Sequence, residues 1–233
     1  MTPEQLRHHL RKIADPGDAE SARHFMKTGP GESGAGLEFL GIRMPTLRAL
    51  VPSCVGWPLS EVVALLQSRW HDERMFALLL LVRQFERGDA TERQLIVDTY
   101  LAHTPHINSW ALVDASTYFI LGPWLEHRDR AILTTLAHSE SLWERRIAMV
   151  STLHFIRQND FDTTLHLAKM LRNDPEDLMH KAVGWMLKEV AKRSPDTARA
   201  FLKAHATAMP RTMLRYAIEK FPAEERAAWR AHN

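Results

Sequence analysis

From residue 45 to about residue 220, apolar side chains recur at intervals of three and four, and no β-branched run alternates over a strand's length. That period predicts an all-α fold. Helices are expected near 45–51, 60–68, 71–87, 91–103, 109–121, 129–138, 141–158, 161–172, 175–193, 196–206 and 211–220, with a polar tail after Pro222. Two shorter helices precede them. Thr2-Pro3-Glu4-Gln5 carries a capping box, and Asp18 is expected to cap a helix ending near Lys27.

The helices also repeat. Long ones begin at Trp70, Trp110, Leu142 and Leu178, at spacings averaging roughly 35–40 residues, close to the range of HEAT and armadillo helix pairs. Each follows a shorter amphipathic helix. The expected architecture is a right-handed α-solenoid of HEAT-like antiparallel pairs, with the long helices lining a concave wall. No linker interrupts 45–220, so one domain over 1–233 is expected, with 222–233 as a possible short polar tail.

Composition narrows the function. A single cysteine, Cys54, excludes an intramolecular disulfide and a cysteine metal cluster, and Cys54 reads as a packing residue. The N-terminus is polar and amphipathic, and the longest apolar run, 75–82, is too short to span a bilayer. A cytoplasmic protein is expected. Net charge is only +2 with a pI near 8.8, so nucleic acid would have to be met by a local basic face. The glycine-rich stretch 29–36 lacks the Gly-Lys-Ser/Thr ending of a phosphate loop and reads as a surface loop. His-Glu-x-x-His and Gly-x-Ser-x-Gly motifs are absent, and Pro105 breaks helical geometry between His103 and His106. Neither a cofactor nor a metal is predicted.

The segment 106–125 organises the rest. It reads as a helix capped by Asn108 or Ser109 and stopped by Gly122-Pro123. Trp110 and Asp114 stand at i and i+4, placing an indole and a carboxylate on one face. If the long helices are neighbours in one wall, Arg146 and Trp185 converge on them. Arg74, Arg83, Arg145, Arg157, Lys181, Lys188, Lys192 and Arg193 lie on or beside the same helices, a set able to track a phosphate backbone. Each piece also has a plainer role. Trp57, Trp70, Trp124, Trp143 and Trp229 read as core residues. From the residues alone, Asp114 also serves as an inter-repeat ion-pair partner of Arg146, and that role carries the greater weight.

Four segments, in order, carry a family resemblance. Gly41-Ile42-Arg43-Met44-Pro45-Thr46-Leu47-Arg48 resembles the G-[IV]-[RK]-x-P-x-[LI]-[RK] segment of the AlkD-like DNA alkylation repair proteins. Asn108-Ser109-Trp110 with Val113-Asp114 resembles that family's Trp/Asp helix. Leu142-Trp143-Glu144-Arg145-Arg146-Ile147-Ala148 is similar to its W-x-x-R-x-A segment, and Lys181-Ala182-Val183-Gly184-Trp185-Met186-Leu187-Lys188-Glu189 to its K-A-[IV]-G-W-x-L-[RK]-E segment. Ala111 stands where the family often has aspartate. The resemblance runs from about residue 20 to residue 220. It implies a HEAT-like solenoid and monofunctional N-glycosylase action on cationic N3- or N7-alkylated purines in duplex DNA, without base flipping. It further implies Asp114 as catalytic carboxylate, Trp110 and Trp185 as aromatic walls and Arg146 as groove arginine. DNA contacts are expected at Arg43, Arg48, Arg74, Arg145, Lys181 and Lys188, on a monomer. The alternative from another class is a HEAT-type scaffold that binds DNA or protein without catalysis.

Overall fold

The computed structural model describes residues 1–231. Its fifteen helices are α1 (Pro3–Lys12), α2 (Pro16–Met26), α3 (Met44–Leu50), α4 (Leu59–Leu66), α5 (His71–Arg87), α6 (Ala90–Ala102), α7 (Trp110–Trp124), α8 (Ala131–Ala137), α9 (Leu142–Ser151), α10 (Leu153–Arg157), α11 (Asp162–Met170), α12 (Asp177–Arg193), α13 (Pro195–His205), α14 (Arg211–Ala217) and α15 (Ala223–Ala231). Short 3-10 turns interleave them. One isolated bridge, Glu38 to Trp70, is the only β pairing among the described residues. The all-α reading therefore holds, and α5 has the bounds its periodicity predicts. The chain divides into two compact units, Met1–Ser116 and Thr117–Asn233.

In the first unit, α5 is the central helix. Its segment from Met75 to Leu81 is almost wholly buried, against Leu65 and Leu66 of α4. The first helix seals this core with Leu6 and Leu10, both fully buried. It is also tied by charge. Arg11 Nη1 donates to Glu73 Oε1 at 2.9 Å, and Ser68 Oγ donates to the other carboxylate oxygen at 2.7 Å. Burial of Glu73 without these donors would cost several kcal/mol.

In the second unit, α12 is the central helix and packs on α9, α13 and α14. Gly184 permits the closest approach. A Cβ there would lie 2.5 Å from the Met213 carbonyl oxygen and 2.5 Å from Tyr216 Cβ. The glycine of the Lys-Ala-Val-Gly-Trp segment is thus a packing requirement. Arg145 Nε donates to Asp174 Oδ2 at 2.6 Å, which joins the start of α9 to the turn before α12.

Several boundaries differ from the sequence expectation for local reasons. Asp15, not Asp18, caps α2 by accepting from the Asp18 amide at 2.8 Å. The helix expected over 141–158 divides at Thr152, where the hydroxyls of Ser151 and Thr152 donate back to Ile147 and Met149 carbonyls; such back-bonding bends helices. Gly122-Pro123 does not stop α7, which continues to Trp124. Proline in a last turn removes only one internal bond. Gly122 is instead an approach point, since a Cβ there would lie 2.4 Å from His154 Cβ. The polar stretch after Pro222 forms α15, which buries no side chain and is held by Arg199 Nε on Glu225 Oε1 at 2.8 Å. Positions 232 and 233 of the expected tail lie outside the described residues.

The tryptophans require the largest correction. Trp57, Trp70, Trp124, Trp143 and Trp229 are all half-buried, none a core residue. An indole carries a polar N–H and a cation-attracting face, and both find partners at the surface. Trp57 Nε1 donates to the Met1 carbonyl at 2.8 Å, and guanidinium carbons of Arg69 and Arg128 lie 4.5 and 3.6 Å from the ring centroids of Trp70 and Trp124.

Candidate active site

The first unit builds the Trp110 face from three anchored pieces. The loop 37–43 is held by one buried carboxylate. Asp72, in the first turn of α5, accepts from Leu40 N and Ile42 N, each at 2.8 Å. Burial raises its pKa, and those amide bonds oppose the shift. Gly41 between them has φ +83° and lies against α2, so the glycine of the Gly-Ile-Arg-Met-Pro segment is first of all a backbone requirement. Arg43 then clasps Asp18 of α2 through Nε and Nη2, at 2.6 and 2.9 Å.

The second anchor is His71. Its ring stacks on Phe39 with centroids 4.7 Å apart, and Nε2 lies 2.9 Å from Ser109 Oγ. Burial and the nearby Arg74 charge lower its pKa to about 3, so it is a neutral imidazole at physiological pH. The Ser109 hydroxyl can donate to that nitrogen while accepting from Leu112 N at 3.3 Å. Of the two expected caps for α7, Ser109 is the one used, and it fixes the helix start that carries Trp110.

Trp110 itself is half-buried. It packs on a small cluster of Ala19, Met26, Leu37 and Phe39. Phe25 of α2 meets it edge-on, with centroids 5.4 Å apart and planes at 74°. Phe25 is 69% exposed, an unusual surface for a large apolar ring. The two rings, with Arg43, Met44 and Asp18, line an open groove of about 320 Å³. One turn farther along α7, on the Trp110 face, stands half-buried Asp114. A cation-attracting aromatic rim next to a carboxylate favours a cationic guest.

Two of the predicted residues lie in the second unit. Arg146 is 5% exposed, and its Nη1 donates to the Leu178 carbonyl in the first turn of α12 at 2.7 Å. Trp185 is half-buried on α12, and its Nε1 donates to Glu189 Oε1 at 3.2 Å.

The basic set is more committed than its sequence spacing implies. Arg43 pairs with Asp18, Arg83 with Glu86, Arg145 with Asp174, Lys181 with Asp177, Lys188 with Glu219 and Lys192 with Glu189. Arg193 reaches Asn159, and Arg157 lies over the Tyr118 ring. Arg48 is exposed and has no carboxylate within 4 Å among the described residues. Arg74 is buried, so it is not part of an open basic surface. Sequence reasoning missed Phe25 and His71. The signal for Phe25 was a lone aromatic at the C-terminal end of a polar helix.

The sequence profile of the DNA alkylation repair enzyme family matches residues 6–221. The chain belongs to that family. The profile covers all four segments whose resemblance was drawn above. Among solved structures, the chain is similar to a predicted DNA alkylation repair enzyme from Enterococcus faecalis, with a TM-score of 0.72 and 22% identity over 90% of this chain and 97% of that one. At that identity the likeness supports the shared fold. Comparison with curated proteins gives no match. No helix among the described residues is long and apolar enough to cross a membrane, and alkylation repair in this family makes DNA the partner class.

Proposed function

We propose that this family member is a monofunctional DNA glycosylase that releases N3- or N7-alkylated purines from duplex DNA. The observation that supports it is the pairing on α7 of a half-buried carboxylate, Asp114, with an aromatic rim formed by Trp110 and Phe25.

The chemistry needs little more. An N7- or N3-alkylated purine is cationic, so its glycosidic bond is already weakened and the departing base needs no proton. The general acid of ordinary glycoside hydrolysis is dispensable. What remains is an oxocarbenium-like deoxyribose and an attacking water. Asp114 stabilises the first and orients the second, and fixed charge is usually the largest catalytic contribution. The indole of Trp110 favours the charged lesion over neutral bases, by roughly 0.5–2 kcal/mol. Arg146 holds a backbone phosphate. The groove beside Trp110 is open, whereas enzymes that flip a base enclose it in a snug pocket. Recognition from the backbone side, which tolerates bulky adducts, fits that openness.

A methylated duplex incubated with the full chain should yield free N7-methylguanine and an abasic strand left uncleaved. Duplex binding without release of any base, bulky adducts included, would instead support the non-catalytic scaffold.

A further inference from the structure

Among the described residues, Arg74 has no counter-charge. It sits one turn into α5 with 7% of its surface exposed. No hydrogen-bond acceptor and no carboxylate within 4 Å meets its guanidinium among the described residues, and its Nε is sealed from solvent unpartnered. A guanidinium placed so is costly unless an anion completes it.

The chain's own repeat shows what is missing. Ser68, Glu73, Arg74 and Ala77 match Ser139, Glu144, Arg145 and Ala148 in order and spacing. The match extends to structure: Ser68 Oγ donates to Glu73, and Ser139 Oγ to Glu144. Arg145 is fully matched. It donates to both Asp174 oxygens, at 2.6 and 3.3 Å, and to the Ser139 and Glu140 carbonyls, at 2.9 and 2.8 Å. Asp174 belongs to the turn before α12. The corresponding turn before α7 reads His103-Thr104-Pro105-His106-Ile107-Asn108 and contains no carboxylate.

That turn offers donors instead. His103 Nδ1 is engaged by the Thr99 carbonyl at 2.7 Å, which leaves Nε2 available. The His106 ring makes no hydrogen bond among the described residues, and its centroid lies 6.3 Å from that of His103. Arg74 lies close enough to lower the pKa of His106, as does His103, both adding to partial burial. An arriving oxyanion would reverse that electrostatic balance and accept from the guanidinium in bidentate fashion.

We propose that Arg74, His103 and His106 form an oxyanion subsite that takes a phosphodiester of the DNA backbone. The source of the anion rests on the alkylation-repair reading; the anion chemistry does not.

The test uses the full chain and histidine-ring NMR. Inorganic phosphate, compared with chloride at equal ionic strength, should shift His103 and His106 saturably, and undamaged duplex should shift the same two rings. Arg74→Ala risks misfolding, so the variant is His106→Glu, which supplies the carboxylate that Asp174 gives Arg145. It should abolish the phosphate response, weaken duplex binding about tenfold and reduce the salt slope by about one. No phosphate response in the wild type overturns the subsite. A phosphate response with none to a duplex that binds overturns the DNA assignment and leaves a free-phosphate site. Excision is not read, so a protein that binds duplex but releases no base fails the glycosylase proposal alone.

Discussion

Asp114→Asn is expected to slow single-turnover release of N7-methylguanine by about 10²–10³-fold, with duplex affinity changed less than threefold. Removing one preorganised charge contact from a reacting centre costs on that order. Asparagine preserves the size and one acceptor oxygen but not the charge, and in the proposed reaction the charge is what faces a developing oxocarbenium ion. The side chain stands on the rigid face of α7 one turn from Trp110, so the substitution alters electrostatics more than shape. If Asp114 served packing only, the melting temperature would fall while the rate per folded molecule stayed unchanged. The two outcomes separate in one titration of active enzyme.

Gly41→Ala is expected to destabilise the protein by about 3 kcal/mol or more in urea unfolding, at the exceptional end for a single substitution. Two penalties combine. The φ of +83° costs an L-residue about 1–2 kcal/mol. A Cβ would also lie 2.1 Å from the Asp15 carbonyl oxygen and 2.6 Å from Ala19 N, both backbone atoms of the α2 start. Moving α2 would disturb Phe25, so excision should fall with stability. Gly31 provides the control. Its φ is +78°, yet a Cβ meets nothing within 4 Å. Gly31→Ala should therefore cost only about 1 kcal/mol. Equal effects at the two sites would contradict the contact with α2.

The periodicity of the apolar positions made the helices legible, because burial on one face leaves a 3.6-residue signature whatever the partners are. It fixed α5 to the residue. Depth was less legible. A tryptophan at core spacing can still lie at a rim, with its N–H satisfied as in Trp57 or its ring face covered by a guanidinium as in Trp70. Charge pairing was hidden for another reason. Arg43 meets Asp18, Arg145 meets Asp174 and Lys188 meets Glu219 across about thirty residues of sequence, a separation set by how helices stack and not by local pattern. Trp110 and Asp114 were legible as a pair because a single helix turn relates them. Phe25 and His71 were not, since each reaches α7 from an element distant in sequence. The same logic made Arg74 look like one more surface cation until its burial and missing carboxylate set it apart.

In the proposed reaction the positive charge of the lesion replaces a general acid, leaving one carboxylate and an aromatic rim to do the chemistry. The most direct test is single-turnover release from two duplexes that differ only in that charge, one carrying N7-methylguanine and the other the neutral isostere 7-deaza-7-methylguanine. The predicted result is release of the cationic base, with the neutral one at least 10³-fold slower, since departure of the neutral base would need a proton that no side chain assigned to the site supplies. Comparable rates on the two duplexes would contradict it.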